Sequence, residues 1–217
     1  MTHIVFWEYD LLPPLDGPSL ICIGERVKKG TYRPCIETVP FSTISGALRQ
    51  YYSRTDITAV GFFVGELEKI RVENSAHNRA TEAADLPLTT EVLVNPRGKV
   101  YVLIKKDDFH LENVLDSQKD IPLCLGALKS KGFGRCRLQK VSEKVITDPE
   151  SEKRVGELKT RIPEGKSELF GIGTKDILKP VYGYMFQSTS LTDGVYVRSL
   201  FEGSIVRGYE FLVKGIM

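Results

Sequence analysis

The segment Pro40–Arg54, PFSTISGALRQYYSR, does most to decide the fold, because its pattern is typical of a helix with one apolar face. Ser42 or Thr43 can serve as the N-cap, where a side-chain oxygen accepts an otherwise unpaired backbone N–H. The large apolar residues that recur with helical spacing are Ile44, Leu48, Tyr51 and Tyr52. We therefore predict an amphipathic helix here.

Strands are predicted on both sides of this helix, from segments rich in aromatic and β-branched residues. The predicted strands are His3–Leu12, Val60–Val64, two arms of a hairpin within residues 89–106, and Cys136–Val141. The hairpin prediction rests on Asn95–Gly98, which suits a type I turn. A second helix is predicted over Phe109–Lys119. The order is compatible with a ferredoxin-like βαββαβ unit, in which two helices cover one face of an antiparallel sheet.

The remainder of the chain predicts a different organisation. Residues 142–168 carry seven acids and six bases, a composition typical of a solvated, flexible excursion. The tail is β-rich, with turns near residues 192–194 and 202–204. The predicted class is α+β. The predicted domains are 1–141, ferredoxin-like; 142–168, a charged excursion; and 169–217, a β-rich extension packing on the first domain.

Bulk composition indicates an ordinary globular protein. The chain has 217 residues, 41% hydrophobic and 27% charged, with a net charge of +2. Electrostatic recognition of a partner would therefore have to come from local clusters of charged residues. The four cysteines show no metal-binding or disulfide-framework spacing, so we expect reduced thiols, no metal and no cofactor. No signal peptide and no membrane-spanning run is visible, which predicts a cytoplasmic protein with no membrane partner.

The segment Leu125–Leu138, LGALKSKGFGRCRL, concentrates positive charge, and no acid lies between Gly126 and Lys140. Glycine allows a close backbone approach, and lysine and arginine beside it suit a phosphodiester backbone. Phe133, between two glycines, could stack on a base. A solvated turn whose charges are incidental explains this sequence equally well.

Two further segments suit a phosphate-bearing partner. The start of the predicted helix offers unpaired N–H groups, Gly46 permits close contact, and Arg49 adds a fork of donors. A plain helix with Gly46 used for packing is the alternative. The polar loop that follows the strand Val60–Val64 carries hydrogen-bonding side chains, and its candidate residues are Arg71, Asn74, His77 and Arg79.

A catalytic interpretation depends on few residues. Of the three histidines, His3 starts a strand and His110 lies on the predicted second helix. Only His77 lies in a loop that could form a site, where it could act as the general base of a metal-independent ribonuclease.

Taken together, three segments resemble the CRISPR-associated RAMP superfamily, in the family's order and over roughly residues 38–140. They are VPFSTISGALRQYY, the loop and hairpin RVENSAHNRATEAADLPLTTEVLVNPRGKVYVLI, and LGALKSKGFGRCRL. The resemblance implies a fold related to the RNA recognition motif and a role in holding guide RNA. By matching position, it implies RNA contacts by Ser42, Thr43, Ser45, Gly46 and Arg49, and by Lys129, Ser130, Lys131, Gly132, Phe133, Gly134 and Arg135.

The resemblance also bears on the branch of the family. The ending VRSLFEGSIVRGYEFLV resembles subunits that cap the complex and hold the 5′ handle of the guide. Target-cleaving backbone subunits place an aspartate before the helix, whereas the loop here contains Glu25 and Glu37 but no Asp. In the RNA-processing branch the glycine-rich loop lies close to the C-terminus, whereas about 80 residues follow it here.

The leading hypothesis is a guide-RNA (crRNA)-binding subunit of a multisubunit, type III CRISPR interference complex in antiviral defence. Its partners would be the guide RNA, other RAMP subunits and the large polymerase-like subunit. The alternatives are a metal-independent endoribonuclease that processes repeat RNA, a RAMP backbone subunit that cleaves target RNA, and a protein-interaction module whose basic loop is incidental. Whether the chain is an enzyme stays open, and no catalytic residue is predicted.

Overall fold

The computed structural model describes residues 4–24, 31–74, 88–104, 120–188 and 193–216. Within these ranges there is one α-helix, α1, Phe41–Tyr52. The strands are β1 Ile4–Leu12, β2 Leu20–Ile21, β3 Tyr32–Arg33, β4 Thr38–Val39, β5 Thr58–Val64, β6 Glu68–Asn74, β7 Leu88–Val94, β8 Arg97–Ile104, β9 Asp120–Cys124, β10 Arg135–Ile146, β11 Lys153–Leu158, β12 Ile162–Pro163, β13 Ile177–Lys179, β14 Tyr182–Ser188, β15 Gly194–Leu200, β16 Ile205–Tyr209 and β17 Val213–Gly215. Short 3₁₀ helices cover Lys129–Lys131, Glu164–Phe170, Thr174–Asp176 and Glu210–Leu212.

A six-stranded antiparallel sheet forms the centre of the molecule, in the order β4-β5-β8-β1-β10-β9. Three smaller sheets surround it. β7 pairs with β2, β3 and β6; β11, β13, β16 and β17 form a second group; and β12, β14 and β15 form a third. The chain is therefore a mixed α and β protein built mainly of antiparallel strands, which agrees with the predicted α+β class.

The inner strands of the central sheet contribute to a core on each face, because successive side chains of a strand point to opposite sides. On β1, Trp7 and Tyr9 pack into the core beneath α1, together with Val100 and Val102 of β8. Phe6 points the other way, into a core that it shares with Tyr101 and Leu103 of β8 and with residues of the C-terminal sheets. Helix α1 thus covers one face and the C-terminal part of the chain covers the other.

Helix α1 confirms the predicted helix, but its start differs from the prediction. The N-cap is Pro40, whose carbonyl accepts the N–H of Thr43 at 3.0 Å, and no side chain caps the helix. The N–H of Phe41 donates to the carbonyl of Arg161 at 2.9 Å. The C-terminal part of the chain therefore satisfies this N–H group, and the prediction that Ser42 or Thr43 is the N-cap is wrong.

The predicted hairpin around Asn95–Gly98 is also wrong. β7 and β8, the strands on either side of this turn, belong to different sheets. Asn95 has a left-handed backbone (φ 46°), and its side-chain oxygen accepts the N–H of Ser19 at 2.8 Å. The turn therefore directs the chain from one sheet to the next, and β7 forms a hairpin with β6 instead.

Residues 142–168, predicted as a charged excursion, contain the end of β10, all of β11 and β12, and a 3₁₀ helix. Leu158 and Ile162 are buried in the core behind the central sheet. The charges in this range are accommodated by pairing, as in the two 2.7 Å hydrogen bonds from Arg161 to Glu202. The β-rich tail contains β13 to β17. The division of the chain into three domains stays a prediction, and the predicted second helix lies outside the described residues.

A buried ion pair stabilises the C-terminal sheet. Nζ of Lys153 lies 2.8 Å from Oδ2 of Asp176, and these side chains are 6% and 2% exposed. Oδ2 also accepts the N–H of Gly173 at 3.0 Å. Burial raises the pKa of Asp176, but the hydrogen bonds from Lys153 and Gly173 outweigh burial, so the pKa lies below its usual 3.8.

We expect Asp176→Asn to lower the free energy of unfolding by about 3 kcal/mol, because it leaves the ammonium of Lys153 buried with less compensation. Urea unfolding at neutral pH measures the loss. Because the pKa of Asp176 is lowered in the folded state, its stabilisation is present above about pH 3.8 and is lost as the pH falls below that value. Glu150, the exposed second partner of Lys153, provides the control. A loss in Glu150→Gln as large as in Asp176→Asn would contradict the role of burial.

Candidate nucleic-acid interface

Residues 125–135 form a loop between β9 and β10, here called the glycine loop. The chain makes a 3₁₀ turn at Lys129–Lys131, which begins after Leu128 and ends at Gly132, both in left-handed backbone conformations. Backbone hydrogen bonds hold the loop against the β2 segment. The N–H of Ala127 donates to the carbonyl of Cys22 at 2.8 Å, and that of Gly134 donates to the carbonyl of Leu20 at 2.7 Å. The glycine loop is therefore fixed to the rest of the fold by backbone hydrogen bonds.

Two of the three glycines are required by this packing. A Cβ on Gly126 would lie 2.1 Å from the carbonyl oxygen of Cys22, and one on Gly134 would lie 2.2 Å from that of Leu125. A Cβ on Gly132 would meet nothing within 4 Å, although its φ of +83° still favours glycine. Close backbone approach is therefore used inside the protein at Gly126 and Gly134, whereas Gly132 faces open space.

The side chains of the glycine loop divide into two groups. Lys129, Ser130, Lys131 and Arg135 are exposed. Phe133 is 9% exposed and packs with Cys22 and Val92 in a small core. In this conformation the ring of Phe133 anchors the loop and is not presented to a base.

The exposed side of the loop and one side of α1 line a common groove of about 770 Å³, here called the α1 groove. Helix α1 supplies Ala47, Gln50 and Tyr51, and the glycine loop supplies Lys129 and Arg135. Residues 14–16 and 120–124 line much of the rest, including proline and leucine side chains. The groove thus has an apolar floor, an aromatic ring that is 38% exposed at Tyr51, and cations at its rim.

Acids from other segments balance two of these cations. Nη2 of Arg135 lies 2.8 and 2.6 Å from the two carboxylate oxygens of Asp16, and the guanidinium of Arg137 pairs with Asp120. The hydrogen bond from Arg135 is the main cause of the lowered pKa of Asp16. The run is purely cationic in sequence, but the folded groove is closer to neutral. Among the described residues that line it, Lys129 is the cation with no acid at ion-pair distance.

The predicted residues of α1 lie on different sides of the helix, because each residue advances it by about 100°. Thr43 and Gly46 lie within about 40° of Gln50 around the helix, but neither of them lines the groove. Arg49 lies about 60° from Gly46, on the side away from Ala47 and Tyr51, and its Nε donates to the carbonyl of Ile57 at 2.7 Å. Ser45 is fully buried and exchanges hydrogen bonds of 2.9 Å with the backbone of Ala59.

Ser42 is partly exposed and, like Arg49, is not among the residues that line the groove. The structure therefore brings the glycine loop together with Ala47, Gln50 and Tyr51 of α1, and Gly46 is not part of that lining. Ser45 and Arg49 attach α1 to the backbone of Ala59 and Ile57.

The polar loop contributes nothing to the groove in the described part of the chain. Arg71 lies on β6, opposite Glu91 of β7, with its guanidinium carbon 5.8 Å from the ring centre of Tyr32. Asn74 is the last residue of β6. His77 and Arg79 lie outside the described residues.

The face of the central sheet opposite α1 does not form a nucleic-acid surface. In the RNA recognition motif, aromatic residues on an open sheet stack on bases. Here the ring of Tyr101 packs 4.3 Å from that of Phe211. Farther along, Glu8 is 7% exposed and pairs with Lys99 at 2.9 Å, and Lys99 also pairs with Asp10 at 2.7 Å. The α1 groove is therefore the better candidate.

Sequence reasoning missed the residues that join the two halves of the groove. Tyr51 fits the apolar stripe of α1, yet only Ile44 and Leu48 of that stripe are fully buried, and Tyr51 turns to the groove. Asp16 and Asp120 lie 119 and 17 residues in sequence from the arginines that they neutralise, Arg135 and Arg137. Their only sequence signal is their charge, because their position depends on the strand order.

Two negative findings concern only the part of the chain that the structure describes. No group of three or more metal-ligating side chains lies together there. No helix in those ranges has the length and apolar character to cross a membrane.

Comparison with known proteins gives fold similarity only. No protein-family model and no curated protein matches the chain. A chain of the cryo-EM structure "Type III-B Cmr-beta bound to cognate target RNA and AMPPnP, state 1" is similar with a TM-score of 0.54 and 14% identity, over 94% of this chain and 86% of that chain. A chain of "Type III-B Cmr-beta bound to cognate target RNA" has a TM-score of 0.45 and 13% identity, and the match covers 66% of this chain and 61% of that chain's length. At such identities, the first similarity shows a shared fold.

The glycines of the loop allow a test of its architecture. We expect Gly134→Ala to destabilise the protein far more than Gly132→Ala, because both residues have positive φ but only Gly134 also has a carbonyl oxygen 2.2 Å from the new Cβ. For Gly132→Ala the cost is that of left-handed backbone alone, about 1–2 kcal/mol. Thermal unfolding of both variants measures the difference. Equal losses would show that the loop does not pack against Leu125 as described.

Proposed function

We propose that this chain is a guide-RNA-binding subunit of a multisubunit CRISPR interference complex of type III. The observation that carries the proposal is the α1 groove, in which exposed cations of the glycine loop face an exposed side of α1 across an apolar floor. The resemblance of the same segments to the RAMP superfamily supports it. The fold shared with a chain of the RNA-bound Type III-B Cmr-beta complex supports it as well.

A ferredoxin-like ancestry is part of this proposal. The strand order β5-β8-β1-β10, with α1 following β1 in the chain and covering one face, matches the order expected of a βαββαβ unit. The hairpin of β6 and β7 is then an insertion between the second and third strands of the unit. The last strand of the unit, β10, follows the glycine loop.

The groove would bind RNA mainly through its backbone. Lys129 and the neighbouring loop residues would neutralise phosphates and release counterions. The exposed pair of Arg135 with Asp16 is of a kind that contributes little to stability. A phosphate can therefore replace Asp16 as the partner of Arg135. Tyr51 offers a ring on which one base can stack.

We further propose that the chain belongs to the branch that caps the complex at the 5′ handle, in the cytoplasm, beside other RAMP subunits and the large polymerase-like subunit. These finer assignments rest on the resemblance of the C-terminal sequence and on the loop before α1, which has no Asp. They add partners to the RNA-binding role and do not alter the geometry on which it depends.

Replacing Lys129 tests whether the glycine loop contacts RNA. We expect Lys129→Ala to weaken binding of repeat-derived RNA and to flatten the plot of log K against log salt by about one unit, because one phosphate contact is lost. Filter binding at several salt concentrations measures both. Lys179→Ala is the matched control, since Lys179 is exposed on β13 and does not line the groove. An unchanged slope in Lys129→Ala would remove the loop from the interface. Cleavage of the RNA in EDTA by the wild type would favour the endoribonuclease instead.

Replacing Gly46 tests whether helix α1 contacts RNA. It is exposed, and a Cβ there would meet no atom within 4 Å. We expect Gly46→Ala to raise the free energy of unfolding by about 1 kcal/mol. We expect the same substitution to lower RNA affinity roughly fivefold or more, because the new methyl group separates the helix from the RNA backbone.

Gly165→Ala provides the control for Gly46→Ala, because Gly165 is exposed with equally open surroundings but lies in a 3₁₀ helix that supplies no residue to the groove. It should leave RNA affinity unchanged. A more stable Gly46→Ala variant that binds RNA as well as the wild type would show that this side of α1 does not contact RNA.

A further inference from the structure

A second cavity, the junction cleft, lies where the end of β5 meets the C-terminal sheet that contains β11 and β17. Its volume is about 850 Å³, within the usual range for small-molecule sites. Phe62 and Phe63 form an apolar wall, and the segment Glu157–Lys159 lies across from them. None of the lining residues is shared with the α1 groove.

Most charges in the junction cleft are already matched within the protein. The cleft is lined by four cations and three carboxylates, namely Lys69, Lys159, Arg161, Lys214, Glu37, Glu157 and Glu202. Nζ of Lys69 lies 2.7 Å from Oε1 of Glu37, and Arg161 donates two hydrogen bonds of 2.7 Å to Glu202. Glu157 and Lys214 are cross-strand neighbours on β11 and β17, but no ion pair joins them in the described part of the chain. Lys159 has neither an ion pair nor a cross-strand acid within those ranges.

Lys159 is half-buried beside this cavity. Its Nζ donates to the carbonyl of Phe211 at 3.3 Å and lies 4.8 Å from the ring centre of Phe62. Within the described ranges no carboxylate lies at ion-pair distance from it, and Glu210 acts only from farther away. Burial lowers the pKa of Lys159. An ammonium has three N–H donors, so the hydrogen bond to Phe211 leaves two donors and the positive charge of Lys159 for a ligand in the cleft.

We propose that the junction cleft binds a phosphate group, carried by a nucleotide or by an RNA backbone, with Lys159 as its main contact. A phosphate supplies the negative charge that Lys159 lacks and accepts several hydrogen bonds at once. Lys214 lines the same volume and adds positive potential for its other oxygens, whereas Lys69 is already paired with Glu37. The wall of Phe62 and Phe63 leaves apolar space beside the phosphate for a base or ribose. This site lies beyond the proposed guide-RNA groove and does not depend on it.

The first experiment uses thermal unfolding with AMP as the probe and adenosine as its uncharged counterpart. We expect AMP to raise Tm of the wild type saturably and adenosine to have little effect. Lys159→Met keeps the aliphatic stem but removes the half-buried charge. It should be at least as stable without ligand and should bind AMP at least tenfold more weakly. Lys179→Met, a change at an exposed lysine outside the cleft, should bind AMP like the wild type.

The second experiment distinguishes the two sources of the phosphate by filter binding of repeat-derived RNA. If RNA supplies it, Lys159→Met weakens RNA binding and AMP competes with RNA. If a free nucleotide supplies it, RNA binding is unchanged and only the AMP effect is lost. Lys129→Ala in the α1 groove should keep the AMP effect, which separates this site from the proposed function. The inference is overturned if neither the binding of AMP nor the binding of RNA depends on Lys159.

Discussion

Burial of β1 on both faces is the constraint on which the rest of the structure depends. Trp7 and Tyr9 face the helix side, whereas Phe6 faces the C-terminal sheets, so one strand contributes to two cores. Large aromatic side chains bury much surface, and exposing either face of β1 would return that surface to water. β1 therefore joins the N-terminal unit to the C-terminal strands, together with Tyr101 and Leu103 of β8.

This arrangement decides where a ligand can bind. The RNA recognition motif uses an open sheet face, but here Tyr101 and its neighbours are covered by the C-terminal sheets. Accessible surface remains at the margins, where the side of α1 away from Ser45 and Arg49 meets the glycine loop. The candidate surface of this mainly antiparallel fold thus lies at the edge of its helix and not on the face of its sheet.

Sequence predicted the local elements better than their assembly. The period of Ile44 and Leu48 predicts α1 correctly, and the β-branched and aromatic runs predict β1, β5 and β10. The prediction of a hairpin at Asn95 was wrong because an Asn-Pro-Arg-Gly sequence suits a hairpin turn and equally suits a turn that leads from one sheet to another. Asn95 bonds to Ser19, and nothing near the turn in sequence indicates this distant partner. The alternating charges of 142–168 likewise concealed apolar residues that become buried only against the central sheet.

Glycine content is a weaker sign of RNA contact than the sequence alone suggests. Gly126 and Gly134 are glycines because carbonyl oxygens of the protein lie where a Cβ would be. Any chain with this loop packing would need them, whatever it binds. Gly46 is different, because no atom of the described residues within 4 Å of its would-be Cβ requires its small size, and glycine in a helix costs about 1 kcal/mol relative to alanine. The described part of the fold therefore gives no packing reason for this glycine, which lies one turn before Gln50, a residue that lines the groove.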